Sequence, residues 1–399
     1  MRWLLGFILH KIAFGLLSVL LPLYITQAVS GGTLAIWGAM TATATFLAIP
    51  FSFMWGYICD AANRYSIFIL LSFSAVTVLL FIFSQTTDLL LIWLLFALIA
   101  VFQVAYETPK NVLIAETSSY EYWKKGFALY AVWTELGWVL GLLLGLLLGF
   151  LGFSYISLLS VSVILSLLSF ISSIFLVRDP VMIFERRFRR IEKAVSLVQK
   201  GAILLSRSNL TSDDAMALEK EKIFPFCTGL VLFSLATSIF FVPLPVYFAR
   251  VINLETGIVF GLFLLNSLGC LFGYAFTLRN HHSLNPAISV KNATLGRSLL
   301  ILSAFLIGSL PFFGAITLSI VALVSMGLAY AFYSICVLSI SMDIIPKGKA
   351  GLFSALIGVG SAIGCFVGPI IAESFGFQYI FLISSLFCFL SFLAFQQFA

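Results

Sequence analysis

Long apolar stretches, following one another with short polar breaks between them, constrain this chain more than any other feature. A helix needs roughly 20 mostly apolar residues to cross about 30 Å of hydrocarbon. Hydropathy places twelve such stretches, at 3–26, 34–58, 66–85, 89–114, 125–150, 153–177, 223–249, 256–278, 297–313, 314–341, 350–372 and 378–397. Lipid offers no hydrogen bonds to a bare backbone, so only helices or closed barrels can cross it. Runs such as 140–174 lack the alternation of a barrel strand, which leaves helices. Composition agrees, with 61% hydrophobic and only 10% charged residues in 399, where soluble domains carry about 25% charged. The expected fold class is therefore all-α and integral to the membrane, with twelve transmembrane helices. The first stretch is too long for a signal-peptide core and holds Lys11, so it is expected to stay as helix one.

The net charge of +6 invites a nucleic-acid reading, but the charges are sorted by side. With the N-terminus cytoplasmic, 21 of the 22 Lys and Arg residues fall on the cytoplasmic side or in the cytoplasmic part of a helix, Arg250 being the exception. The external loops carry Asp88, Glu255 and Glu373 instead. A wrong span count would scramble this separation, so the positive-inside rule supports both the orientation and the number twelve. A multi-pass cell-membrane protein with both termini cytoplasmic is expected, with no nucleic-acid partner. The longest polar segment, 178–222, holds ten basic residues and an amphipathic run near 183–205. It is expected to be a cytoplasmic linker lying on anionic lipid headgroups.

The chain also repeats itself. Leu21-Pro-Leu-Tyr24 returns as Leu244-Pro-Val-Tyr247, Gly152-Phe-Ser-Tyr as Gly376-Phe-Gln-Tyr, and Gly56-Tyr57 with Asn63 as Gly273-Tyr274 with Asn280. The offsets, 223, 224 and 217, are nearly constant. The reading is two pseudo-symmetric six-helix bundles, at 1–177 and 223–399, joined by the linker at 178–222. Paired halves with a site at their interface describe a secondary transporter.

Against this background Gly56-Tyr-Ile-Cys-Asp60-Ala-Ala-Asn-Arg64 resembles the loop between helices two and three of the major facilitator superfamily (MFS) of transporters. That pattern is Gly, three residues, Asp, a basic residue, any residue, Gly, then two basic residues. Gly56, Asp60 and Arg64 keep it; Ala61, Asn63 and Tyr65 depart from it. The run from Asn111 through Glu116 to Tyr130 resembles the family's passage from helix four to helix five, with a counterpart at Asp343–Gly351. Gly137, Gly141, Gly145 and Gly149 repeat at intervals of four on one face of helix five, where small residues admit a close neighbour. They resemble the fifth-helix glycine motif of the family's exporters without its usual proline. The resemblance implies alternating access, with Asp60, aided by Arg64, latching the halves on the cytoplasmic side against the start of helix eleven. A helix N-terminus favours such a carboxylate.

Ionisable residues inside spans are functional candidates by default. By helical rise Lys11 lies roughly 12 Å into helix one, Glu107 roughly 10 Å above the end of helix four, and Glu135 roughly 16 Å into helix five. Lys11 and Glu107 are expected to pair or to bind a charged solute group jointly, and Lys11 and Lys110 alternatively to snorkel to headgroups. A buried carboxyl resists ionisation, so Glu135 is a candidate proton carrier. Gln103, Tyr106, Asn266, Tyr330 and Tyr333 complete the candidate solute-binding set. The six cysteines are scattered and read as small core residues, and no metal or cofactor is implied. HExxH, GxSxG and paired intramembrane aspartates are missing, which disfavours an embedded enzyme. The expected function is secondary transport of a small organic solute, with the protein a monomer. A non-transporting sensor or scaffold on the same fold is the alternative.

Overall fold

The computed structural model describes residues 3–62, 64–117, 123–179, 223–279, 286–344 and 350–398. Among them are twelve helical spans long and apolar enough to cross a membrane, and no strand. The first six are Leu4–Gln27, Leu34–Ala62, Tyr65–Gln85, Leu89–Gln103 continued by Glu107–Thr117, Trp123–Phe150 and Tyr155–Leu176. The last six are Ile223–Phe241 continued by Leu244–Arg250, Thr256–Arg279, Pro286–Ala304, Phe312–Ile344, Ala350–Ser374 and Phe377–Phe398. An even number of crossings leaves both termini at one end of the bundle, the near end; the opposite end is the far end. Most of the basic segment expected at 178–222 lies outside the described residues, including the amphipathic run.

The first and last six spans pack by one scheme. Span one packs on spans five and six, span three on four and six, and span two on four. Adding six to every number gives the pairs found in the second group: seven on eleven and twelve, nine on ten and twelve, eight on ten. The correspondence reaches single hydrogen bonds. Ser169 donates to the Gly6 carbonyl and Ser391 to the Gly229 carbonyl, both at 2.7 Å. Thr77 bonds Ser166 at 2.8 Å between spans three and six, and Ser298 donates to the Ser385 carbonyl at 2.9 Å between nine and twelve. Hydrocarbon gives helices no hydrophobic reason to associate, so small residues and hydroxyls make these joints. Gly152 and Gly376, with φ of +72° and +102°, open the matching turns into spans six and twelve. Positive φ there suits a residue without Cβ.

Three spans depart from simple hydropathy. Span four passes through a 3₁₀ turn at Val104–Tyr106, a tightening that often marks a hinge or strain. Span seven is interrupted before Leu244, where Pro243 offers no N–H to continue the ladder. Span nine begins at Pro286, eleven residues ahead of the start expected at 297. Lys291, Asn292 and Arg297 dilute any apolar window there, whereas proline at the first helical position loses no needed N–H. The correction moves Arg297 from the membrane boundary to roughly 16 Å inside the helix by its rise per residue.

The glycines of span five serve two neighbours. A Cβ on Gly137 would stand 2.8 Å from the Ile8 carbonyl, and one on Gly141 would meet the Ile12 carbonyl, both in span one. Gly145 and Gly149 face span eight instead, against the Phe260 ring and the Gly257 backbone. The lower pair thus joins span five to its own group and the upper pair to the other. We expect Gly141→Ala to destabilise the protein by about 1–3 kcal/mol, the usual cost of overpacking. Gly296→Ala, where nothing lies within 4 Å, should leave stability equal or raised by about 0.5–1 kcal/mol. Thermal unfolding of the detergent-solubilised variants measures both.

Candidate functional site

The first and last groups of six meet chiefly along spans two and eleven and spans five and eight. At the far end they are fastened by charges on helix termini. The Glu373 carboxylate, from the end of span eleven, accepts from the Ala35 N–H in the first turn of span two at 2.7 Å. Arg250, from the end of span seven, donates to the Thr26 carbonyl in the last turn of span one. The anion thus meets a helix N-terminus and the cation a helix C-terminus, the favourable sense in each case. Tyr155 adds a contact to Thr256 at 3.3 Å and donates to Gln27 at 2.6 Å. Gly149 against Gly257 and Gly38 against Pro369 let the backbones close.

Beneath this clasp lies a cavity of about 270 Å³ between the two groups. Spans one, two and five supply Ser18, Trp37 and Trp138; spans seven and eight supply Phe241, Asn266 and Ser267. The walls are mostly apolar, but two polar atoms in them are buried without a partner among the described residues, Trp37 Nε1 and Asn266 Oδ1. One is a donor and the other an acceptor.

Charged side chains stand directly behind this lining. The Lys11 ammonium lies 5.8 Å from the centre of the Trp138 ring. Glu135 sits beside Ser267 and within electrostatic reach of Lys11. The Arg297 guanidinium lies 5.3 Å from the Phe241 ring. Glu107 forms its ion pair with Lys110, one turn along the same helix, rather than with Lys11, which acts on it only at longer range. Lys110 also lies over Tyr130 at 5.4 Å and Tyr106 at 5.9 Å, and its side chain is only 13% exposed, against 45% for Glu107. Both lysines therefore turn into the bundle instead of snorkelling outwards.

The remaining candidates separate by burial. Tyr106 is buried with Phe7, Phe73 and His10, and Gln103 neighbours its hydroxyl. Tyr333 is buried and stacked on Phe233 at 3.6 Å, so it forms wall and not lining. Tyr330 is 39% exposed. Of the near-end latch, Gly56 faces Thr108 of span four, and Asp60 and Arg64 are exposed at the ends of spans two and three. The start of span eleven that the resemblance gives Asp60 as partner lies outside the residues with described side chains. The near-end carboxylate seen capping a helix is Asp179, which accepts from the Ser66 N–H at 2.6 Å and its hydroxyl at 2.8 Å.

Sequence reasoning missed Arg297, Trp37, Trp138 and Ser267. Arg297 had a readable signal: Val290, Thr294, Arg297 and Ile301 follow the 4-3-4 spacing of a buried helix face, and all four are buried. The other three are a lining assembled from several spans and have no local signature. No group of three or more His, Cys, Asp or Glu suited to a metal occurs among the described residues.

The fold and cavity define a multi-pass membrane carrier with two matching groups of six helices around a central site. The chain belongs to the Major Facilitator Superfamily, whose model matches residues 3–369, and it is a secondary transporter. It matches no curated protein by sequence. Solved structures similar to it include the peptide transporter POT in complex with sulfate, with 11% identity and a TM-score of 0.72 over 100% of this chain and 92% of that one. The human organic anion transporter TETRAN has 18% identity and a TM-score of 0.64 over 99% and 98%. The xylose transporter XylE from E. coli, in a partially occluded inward open conformation, has 11% identity and a TM-score of 0.68 over 100% and 97%. At such identities the likeness is one of fold.

The clasp can be tested with a native reporter. Cys365 is buried in the seam of spans two and eleven, where a Cβ on Gly38 would stand 2.8 Å from its carbonyl. Replacing Arg250 and Glu373 together by Ala should raise alkylation of Cys365 severalfold. Cys388, bonded to the Thr294 carbonyl inside the second group, should stay protected. Peptide mapping after a timed maleimide pulse measures both.

Proposed function

We propose that the protein moves a small organic solute through the central cavity by alternating access, and that the present conformation is the one closed at the far end. The observation that carries this reading is the cavity between the two groups, with an unmet donor and an unmet acceptor in an apolar wall. A buried polar group without a partner costs about 1–3 kcal/mol. A solute offering one acceptor and one donor would remove that cost once the Trp37 and Asn266 side chains turn their buried polar atoms towards the cavity, and the aromatic walls would take up its apolar body.

The charge sorting along the sequence supports a cytoplasmic near end, so the cavity faces the cytoplasm in this state and the clasp seals the outside. Asp60, Arg64 and Gly56 then belong to the opposite gate, which fastens when the far end opens. The matching packing of the two groups supports a rocking motion of two bundles, 1–177 and 223–399. The cell membrane as location and the basic segment on anionic headgroups rest on the same charge pattern.

Glu135 is the proposed proton carrier. It stands between the two groups, beside Ser267 of the second and near Lys11 of the first. Protonation frees Lys11 from it and leaves Glu107 as the facing anion, so one proton redistributes charge at the interface as the bundles rock. Glu135→Gln should abolish accumulation driven by a pH gradient in proteoliposomes while leaving solute exchange in place. A solute found by thermal-shift screening of a broad panel serves as the probe. Unchanged gradient-driven accumulation would falsify the proton role. Trp37→Phe and Asn266→Ala should each weaken binding of that solute, by roughly tenfold for one lost hydrogen bond. Vesicles in which no solute moves would favour the sensor or scaffold reading.

A further inference from the structure

Arg297 is the most unusual charge in the molecule. It is 2% exposed, and its Nε and Nη1 have no hydrogen-bond partner among the described residues. Its guanidinium is enclosed by rings instead, with Phe233 at 5.1 Å, Phe241 at 5.3 Å and Tyr330 at 5.3 Å. Cation–π contact offsets part of the desolvation of such a cation, but it satisfies none of its N–H groups. A guanidinium never sheds its charge, so neutralisation offers no escape. Nor does the second group supply an acid at that depth: Glu255 and Glu373 stand at the far-end termini of spans eight and eleven, and Asp343 at the near end of span ten.

The position is next to the solute path. Phe241, one of the enclosing rings, lines the central cavity. Cys270, within the field of Arg297, lies one helical turn from Asn266 in the cavity wall and also within the field of Glu135. Tyr330, 39% exposed, lies within the fields of Cys270, Arg297 and Glu135, which belong to three different spans of both groups.

From this the geometry points to Arg297 as the anion-binding residue of the solute site, and to an organic carboxylate with an aromatic or apolar body as the solute class. The inference rests on the transport reading above. The carboxylate would reach Arg297 past the Phe241 and Tyr330 rings and accept a charge-assisted hydrogen bond from one of its open N–H groups. Its body would lie in the aromatic cavity, where Trp37 and Asn266 read further polar groups.

The test uses matched pairs of one neutral amide and one carboxylate of the same skeleton, such as benzamide with benzoate and phenylacetamide with phenylacetate, at pH 7. Purified full-length protein is titrated with each by thermal shift, and the best probe is then followed by counterflow in proteoliposomes. Wild type should bind the carboxylate better than the amide. Arg297→Gln should erase that preference by weakening the carboxylate roughly ten- to hundredfold, the worth of charged hydrogen bonds, with the amide unchanged. Arg297→Lys keeps the charge and should retain part of the preference, which guards against a Gln variant that fails to fold. Equal response to acid and amide in wild type, or a preference that survives in Arg297→Gln, overturns the assignment. Counterflow of a carboxylate that is unaffected by Arg297→Gln would leave transport standing and remove the anion site. Absence of counterflow for every probe would remove the transport reading itself.

Discussion

The clasp at the far end decides the shape of everything beneath it. Spans one and two form a hairpin whose two helix ends both point outwards, one offering bare carbonyls and the other bare N–H groups. The opposite group answers each with the matching charge, Arg250 on the Thr26 carbonyl and Glu373 on the Ala35 N–H. Each contact is modest by itself, since a charge at a helix end is worth about 0.3–1 kcal/mol when exposed. Contacts of that size suit a seal that must open repeatedly. A large apolar seam there would hold the two groups shut.

With the far end fastened, the space between the groups narrows to the cavity, and three cations and acids come to stand behind its walls. Trp138 separates Lys11 from it, Ser267 separates Glu135, and Phe241 separates Arg297. Two of these charges ride on the first six spans and one on the last six. Any rocking of one group against the other changes the distances between these charges, which is the geometry that the proposed proton and solute roles require. The split glycine face of span five suits this arrangement: its lower pair holds the helix to span one, while its upper pair meets span eight across the interface.

Much of this was legible in the sequence. Twelve spans, the matching halves and the common side of the termini follow from hydropathy and from repeats at nearly constant offset, because bilayer thickness fixes helix length. Individual charges inside the spans were equally visible, yet their partners were not. Lys110 took the ion pair expected for Lys11 because it lies one turn from Glu107 on a continuous helix. Arg297 was misplaced because hydropathy penalises the very residues that a functional interior requires. The clasp left only half a trace: Arg250 stood out as the one basic residue on the wrong side, but a backbone carbonyl as partner has no sequence signature.

Alternating access requires that opening one end closes the other. Spin labels at Ser30 and Val251 report the far end and at Ala61 and Phe224 the near end, in a background lacking the six native cysteines, with distances read by electron–electron double resonance. The account predicts a short far-end and a long near-end distance in the parent protein, and a reversal of both when Arg250 and Glu373 are replaced by Ala. If the far end opened with the near-end distance unchanged, the two groups would not be moving as coupled bodies, and the account would be wrong.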